Sequence, residues 1–444
     1  MKKNIKRAQN IMMIILLLIG ILPLENGCKK NEENNFIADF SYEFKDDNHL
    51  KFINNSTGEY YSLQWDFGNG ETETTTEKNK SFEIYYPVAG NYNVKLTVLN
   101  YTGDTQTVSK TVNILKSDLE LSFTAEPVSG NANLIHLVNT SIGDFDSFSW
   151  IYRNKTIENQ QEANAYFPFV GQYTIELKVM NGTDTFSKTK TISIAMDDPN
   201  YVDNLVLTWS DEFEGTNVNA DNWTFETGAT GWGNNELQNY TNGDNAEVTD
   251  GKLIITARKI NDDKTIGSYT SSRLVTSGKQ EFKYGRMEIR AKLPSGTGIW
   301  PAIWMLGSNF KTAGWPACGE VDIMEYVGYQ PNIVHSTIHT PAGYGDSGSG
   351  TSVALETCEE AFHNYGIIYT EKYIKFYIDT PNNIIHTYAP PLKTSDNWPF
   401  DQPLFFILNV AVGGNWGGAQ GIDNSIFPQS MEVEYVRVYQ EKEN

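Results

Sequence analysis

The sequence predicts an all-β chain: two small immunoglobulin-like β-sandwiches followed by one large jelly roll. Three observations predict it. Short segments such as Arg286-Met-Glu-Ile-Arg-Ala-Lys-Leu293 alternate apolar and polar residues with period two, the spacing of a strand with one wet face. The composition, 13% aromatic with 36 glycines and 24 tyrosines, favours strands and turns over helices. No apolar stripe of helical period runs beyond two turns. At 444 residues the chain has room for two to four domains, and a 39% hydrophobic share is enough to bury cores. The 34 basic and 55 acidic residues leave a net charge of −21, which repels nucleic acid and anionic membrane surfaces. Nucleic-acid partners are thereby excluded.

In chain order, Lys2, Lys3, Lys6 and Arg7 precede an apolar run from Ile11 to Leu24. That run is shorter than the ~20 residues needed to cross a bilayer as a helix, so residues 1–27 read as a signal peptide. It ends at Leu24-Glu-Asn-Gly-Cys28, which resembles a bacterial lipoprotein cleavage site with Cys28 as the lipidated residue. Residues 28–35 form a polar tether, and its Lys-Lys-Asn-Glu-Glu is similar to the tag that exports lipoproteins to the cell surface in Bacteroidetes-like bacteria. The resemblance implies a secreted, outer-membrane or cell-surface lipoprotein of a Gram-negative bacterium, touching the membrane only through its anchor. The two other cysteines, Cys318 and Cys358, would be free to pair outside the cell, and two buried thiols are the alternative.

Residues 36–116 and 117–196 are two copies of one domain. Tyr86-Pro-Val-Ala-Gly90-Asn-Tyr92-Asn-Val94-Lys-Leu96-Thr-Val98 recurs 81 residues later as Phe167-Pro-Phe-Val-Gly171-Gln-Tyr173-Thr-Ile175-Glu-Leu177-Lys-Val179. Trp65 and Trp150 stand where a sandwich places an aromatic between its two sheets. Trp65-Asp-Phe-Gly-Asn-Gly70 together with the Pro-x-x-Gly-x-Tyr strand resembles the polycystic-kidney-disease (PKD) type domain. The second copy has Trp150-Ile-Tyr-Arg-Asn154 in that place and lacks the Asp-Phe-Gly turn, so its assignment rests on the repeat register. Such domains serve in secreted hydrolases as spacers or weak glycan binders; without a run of spare aromatics, spacers are expected.

After the polar stretch Met196-Asp-Asp-Pro-Asn200, residues 201–442 form one all-β unit within the normal size of a large sandwich or jelly roll. Its most informative segment is Cys318-Gly-Glu320-Val-Asp322-Ile-Met324-Glu325. On a regular strand Glu320 and Asp322 share one face and Glu325 points to the other, where a lone buried carboxylate would be costly. A single-residue bulge at Ile323-Met324 restores the parity and gathers all three acids on one surface. Repulsion among them raises at least one pKa, and a proton donor beside an ionised partner is what glycoside cleavage requires. Upstream, Trp300 and Trp304 lie close enough in sequence for one indole to stack on a sugar ring while the other packs in the core. No C-x-x-C pair or H-E-x-x-H pattern argues for a catalytic metal.

Residues 205–440 resemble a family 16 glycoside hydrolase of the laminarinase (endo-β-1,3-glucanase) branch. The matching segments are Trp209-Ser-Asp-Glu-Phe213, Gly231-Trp-Gly-Asn-Asn-Glu-Leu-Gln238, Tyr269-Thr-Ser-Ser-Arg273, Tyr284-Gly-Arg-Met-Glu-Ile-Arg-Ala-Lys-Leu-Pro294, the tryptophan segment and the acid strand. His335-Ser-Thr-Ile-His339, Phe362-His363, Leu408-Asn-Val-Ala-Val-Gly-Gly-Asn-Trp416 and Val433-Glu-Tyr-Val-Arg-Val-Tyr439 complete the set. The resemblance implies a concanavalin-like jelly roll whose concave face forms an open cleft, acting as a retaining endo-hydrolase of β-1,3-glucan without a catalytic cofactor. It implies Glu320 as nucleophile, Glu325 as acid/base and Asp322 between them, with His339 beside the acid/base. Asn234, Glu236, Arg273, Trp300, Trp304 and Trp416 fall at positions that line sugar subsites, and His363 at a structural one. Relatives often hold a structural calcium, for which Glu212, the Gly251 carbonyl and Glu434 fill the places, although most carry Asp where this chain has Glu434. β-Glucan is the expected partner of a monomer. A mixed-linkage β-1,3-1,4-glucan or algal galactan hydrolase of the same fold, or a non-catalytic glucan-binding protein, are the alternatives. The Gly-Trp-Gly-Asn-Asn-Glu-Leu-Gln loop and the absence of a basic cluster for sulfate favour the first reading over the galactan, and both glutamates being present opposes the binding protein.

Overall fold

The computed structural model describes residues 36–143 and 145–442. Signal peptide, tether and Cys28 lie outside them. The first sandwich packs a four-stranded sheet, in the order Thr72–Thr75, Ser62–Asp66, Gly90–Leu99, Thr105–Ile114, on a three-stranded one made of Phe40–Phe44, His49–Asn54 and Ser81–Tyr85. Trp65 is 2% exposed between them, edge-on to Phe40 and stacked on Phe67. The Asp-Phe-Gly turn has a physical cause. Asp66 Oδ1 accepts the Gly68 N–H at 3.0 Å, and Gly68 sits at φ +75° where a Cβ would meet the Asn93 carbonyl oxygen at 2.9 Å.

The second copy repeats the topology, with Lys155–Glu158, Ser147–Tyr152, Gly171–Asn181 and Asp184–Ile194 in one sheet and Glu162–Tyr166, Asn131–Asn139 and Phe123–Val128 in the other. Trp150 is fully buried in the matching place. It dispenses with the Asp-Phe-Gly turn because Arg153 and Asn154, both left-handed at φ 46° and 60°, close a two-residue hairpin instead.

By compactness the chain forms two units. One runs to Phe123 and adds Asn139–Phe148 and Leu177–Lys188; the other comprises Thr124–Val138, Ser149–Glu176 and Thr189–Asn444. Within the second unit Arg153 is buried against Glu441, with N···O contacts of 2.9 and 3.3 Å, and Phe169 packs on Tyr201 and Tyr373.

Residues 201–442 form two sheets around one apolar core. The sheet that carries the site is built from β1 (Thr224–Glu226), β2 (Arg273–Val275), β3 (Ile299–Gly307), β4 (Glu320–Tyr326), β5 (Ile333–His339), β6 (Ser349–Ala354) and β7 (Leu404–Val412). Their spatial order is β1-β2-β7-β3-β4-β5-β6. A ten-stranded sheet, with Gly285–Lys292 and Gln429–Gln440 near its centre, covers the other side. Val321 and Ile323 of β4, Ile303 and Met305 of β3, and Phe406, Leu408 and Val410 of β7 meet Met287, Ile289, Val436 and Val438 in the core. The alternate residues of β3, β4 and β7 consequently face outward. Among the described residues the one α-helix is Phe310–Ala313.

Candidate active site

β4 carries the bulge its spacing requires. Against β3, Met324 pairs with Ile303 and Asp322 with Trp304, leaving Ile323 without a partner. Against β5 the register steps from Asp322 opposite Thr337 to Glu325 opposite His335, three residues against two. The extra residue turns Glu325 to the side of Glu320 and Asp322 while Val321, Ile323 and Met324 stay in the core. One carboxylate oxygen each from Glu320 and Asp322 and one ring nitrogen of His339 lie within 4.8 Å of each other, with His339 Nε2 3.1 Å from Asp322 Oδ2.

Burial decides the electrostatics of the three acids. It pushes Glu320 up to about 8, helped by the Asp322 charge, and Glu325 up to about 7, helped by the Glu320 charge. Asp322, 3% exposed, is lifted well above the carboxylate range by burial and by Glu325. The groups that favour the charged form of Glu320 are His339 and the Trp315 indole; those that favour it for Glu325 are the Trp300 indole and His339. The three do not ionise together: a proton on one relieves the repulsion that raises its neighbour, so the set can hold a protonated acid beside an ionised one. Glu320, Asp322 and His339 are also the one group of clustered metal-type ligands among the described residues. Its carboxyls favour the protonated form, which suits proton transfer and not cation binding.

Trp300 donates its indole N–H to Glu325 Oε1 at 3.1 Å. Its ring meets Trp416 edge-on at 5.5 Å, and Trp416 meets His335 at 4.8 Å. His335 is in turn 3.1 Å from Gln330 Oε1, and burial holds it below its usual value. Trp304 donates to Asn409 Oδ1 at 2.7 Å, and Arg273 lies over the Trp304 ring at 4.6 Å and the Trp232 ring at 5.1 Å. The expectation that one of Trp300 and Trp304 would be buried is corrected. Four residues apart on one strand, both occupy the outward face, and both are only half-buried. Arg273 is fixed from its far side by Glu226 at 2.6 Å. Asn234 is 3.4 Å from Glu236 Oε1, and its carbonyl accepts the Asn415 N–H at 2.7 Å, docking the Asn-Asn-Glu loop on the loop of Trp416. Burial raises the pKa of Glu236.

The sequence reading singled out neither Trp315, Tyr344, His335, Asn409 nor Glu226 for the site. Trp315 and Tyr344 are 46% and 49% exposed and meet edge-on at 5.2 Å beside His339. Only register signals Asn409 and Glu226: Glu226, Arg273, Asn409, Ala302 and Glu325 form one row across β1, β2, β7, β3 and β4.

Away from this face, Glu212, Gly251 and Glu434 line one hollow together with Lys252, Arg290 and Arg437. The set does not fit calcium. Glu212 spends both oxygens on Arg437 at 2.8 and 2.9 Å, and Glu434 Oε2 takes Arg290 Nε at 2.5 Å, so guanidiniums already neutralise the two carboxylates a dication would need. Cys318 and Cys358 are free, buried thiols. His363 is held by Asp379 at 3.0 Å and Thr357 at 2.9 Å, the structural role read from the sequence.

Residues 33–113 match the PKD domain and residues 233–437 match glycosyl hydrolases family 16. A beta-glucanase of Rhodothermus marinus is 46% identical over 246 residues, 52% of this chain and 84% of that protein. A laminarinase structure from Flavobacterium sp. UMI-01 superposes with a TM-score of 0.50 at 46% identity, covering 53% of this chain and all of that one. A non-specific endo-beta-1,3(4)-glucanase superposes with a TM-score of 0.50 at 40% identity, covering 54% of this chain and 92% of that one. The three acids of β4, the indoles beside them and these likenesses agree: the chain is a glycoside hydrolase that belongs to glycosyl hydrolases family 16.

Proposed function

We propose that the protein is a retaining endo-hydrolase of β-1,3-glucan, and the bulge at Ile323 that brings Glu320 and Glu325 to one face carries this reading. Glu325 gives its proton to the glycosidic oxygen as the bond to the anomeric carbon breaks. A Glu320 oxygen attacks that carbon from the opposite side and forms a glycosyl ester. Glu325, now ionised, takes a proton from water, whose oxygen displaces Glu320 and releases the sugar with its configuration retained. Because the Trp300 N–H occupies Oε1, the transferable proton sits on Oε2 of Glu325. Asp322 and His339 set the charge on Glu320 between the two steps. No cofactor takes part. Asn234, Glu236, Arg273, Trp304 and Trp416 contact the bound glucan.

The relatives named for laminarinase and beta-glucanase activity support β-1,3-glucan as substrate. The likeness to a non-specific endo-beta-1,3(4)-glucanase supports tolerance of mixed linkages as the second reading. Hydrolysis of laminarin, curdlan, barley mixed-linkage glucan, agarose and carrageenan, with products sized by chromatography, tests both. Short β-1,3 oligomers from laminarin are expected. Cutting of a galactan with laminarin intact would overturn the substrate, and binding of laminarin without any cleavage would overturn the enzyme reading. The protein is further proposed to be a surface lipoprotein anchored through Cys28, on the strength of the Gly-Cys28 junction after the apolar run. Cys28→Ser should move it to the soluble fraction, and unchanged membrane partitioning would refute the anchor.

A further inference from the structure

Asn409 and Tyr240 are 5% and 1% exposed, and they join the half-buried Trp304 to Glu236, itself 6% exposed. The direction of each hydrogen bond between them is fixed by chemistry. An indole N–H only donates, so the Asn409 oxygen faces Trp304, at 2.7 Å. The Asn409 amide NH2 must then point to the Tyr240 hydroxyl oxygen, at 3.1 Å. That leaves the Tyr240 O–H to donate to Glu236 Oε2, at 3.4 Å, where Gln238 also donates at 2.6 Å. Gln238 is locked in turn, because its oxygen accepts the Val412 N–H of β7 at 2.8 Å. One polar chain thus runs Trp304, Asn409, Tyr240, Glu236 and leaves no alternative orientation for the amide.

We infer that Asn409 and Tyr240 are positioning residues that hold the Trp304 indole and the Glu236 carboxylate in the geometry that receives a sugar of the bound glucan. The inference rests on the proposed glucan contacts of Trp304 and Glu236 and adds what fixes them. No member of the relay hydrogen-bonds to Glu320, Asp322 or Glu325, and only Glu236 acts on one of them, raising Glu325 through a charge that neither substitution below removes. The relay should therefore act on binding and leave the bond-breaking step alone.

Kinetics on a laminarin oligosaccharide test it with Asn409→Ala and Tyr240→Phe in the full chain. Tyr240→Phe keeps the ring packed against Trp232 and removes only the hydroxyl, so it remains decisive if Asn409→Ala fails to fold. KM should rise about tenfold in each variant with kcat within about twofold. Asn409→Ala combined with Trp304→Phe should raise KM no further than Trp304→Phe alone. An unchanged KM, a fall in kcat alone, or additive effects in the pair would overturn the relay. If the unaltered protein leaves laminarin intact, it is the substrate assignment that fails; an active protein whose variants keep their KM refutes only the relay.

Discussion

The indole N–H of Trp300 and the Oε1 of Glu325 stand 3.1 Å apart, joining a half-buried aromatic of the outward face to the residue proposed as acid/base. An indole that donates to a carboxylate favours its ionised form and so opposes the upward push of burial. In the proposed mechanism this favours the second half of the reaction, in which Glu325 accepts a proton.

Trp300→Phe keeps an aromatic face and removes that donor. Hydrogen bonds to charged groups contribute about 1.5–3 kcal/mol, so kcat/KM should fall roughly tenfold or more. With the donor gone Glu325 stays protonated to higher pH, and the basic limb of the pH–rate profile should move upward. A limb that moves down or stays in place would refute the assignment.

The raised carboxyls also make a statement about stability. A carboxyl at about 8 in the folded protein and 4.5 otherwise costs nothing below about pH 4.5 and destabilises increasingly as pH climbs toward 8. Glu320→Gln should abolish turnover, leave Tm nearly unchanged at pH 4.5 and raise it at pH 8. Each kcal/mol relieved appears as about 2–4 °C in a calorimetric scan. An equal shift at both pH values would contradict the burial argument.

Deleting Ile323 would restore a regular ladder between β3 and β4 and leave Glu325, then four positions from Glu320, on the face of Glu320 and Asp322. The expected result is a folded protein of lower stability and lower activity, read by thermal melting and by turnover, because the strand loses a buried isoleucine and the bend that sets the spacing of the two glutamates. A deletion variant with unchanged activity and melting temperature would refute the role given to the bulge.

Glu212 and Glu434 are neutralised by Arg437 and Arg290, so chelation should leave stability alone. Tm in EDTA and in millimolar calcium should agree within about 1 °C. A calcium-dependent rise of several degrees would show that the hollow binds the ion. Arg437→Met should lower Tm, by removing the bidentate partner of Glu212.

Much of this was legible in the chain. Period-two alternation in Arg286–Leu293 and the 81-residue repeat gave the all-β class and the doubled sandwich, because a strand with one wet face must alternate. The spacing of Glu320, Asp322 and Glu325 demanded the bulge through parity alone. What was illegible depends on elements far apart in sequence. Asn409 lies 105 residues from the indole it holds and 169 from the hydroxyl it meets. The guanidiniums that occupy Glu212 and Glu434 arrive from Arg437 and Arg290, 225 and 144 residues away. The second sandwich lacks the Asp-Phe-Gly signature, and its strand order nonetheless repeats that of the first.

By itself, then, the sequence determined the fold class, the repeat and the acids of one strand, since each follows from local periodicity and neighbouring residues. Tertiary structure decided which indoles face outward, which buried amide orders Trp304, Tyr240 and Glu236, and how Glu212 and Glu434 are neutralised. Those outcomes depend on register between strands distant in the chain, which no local pattern of residues encodes.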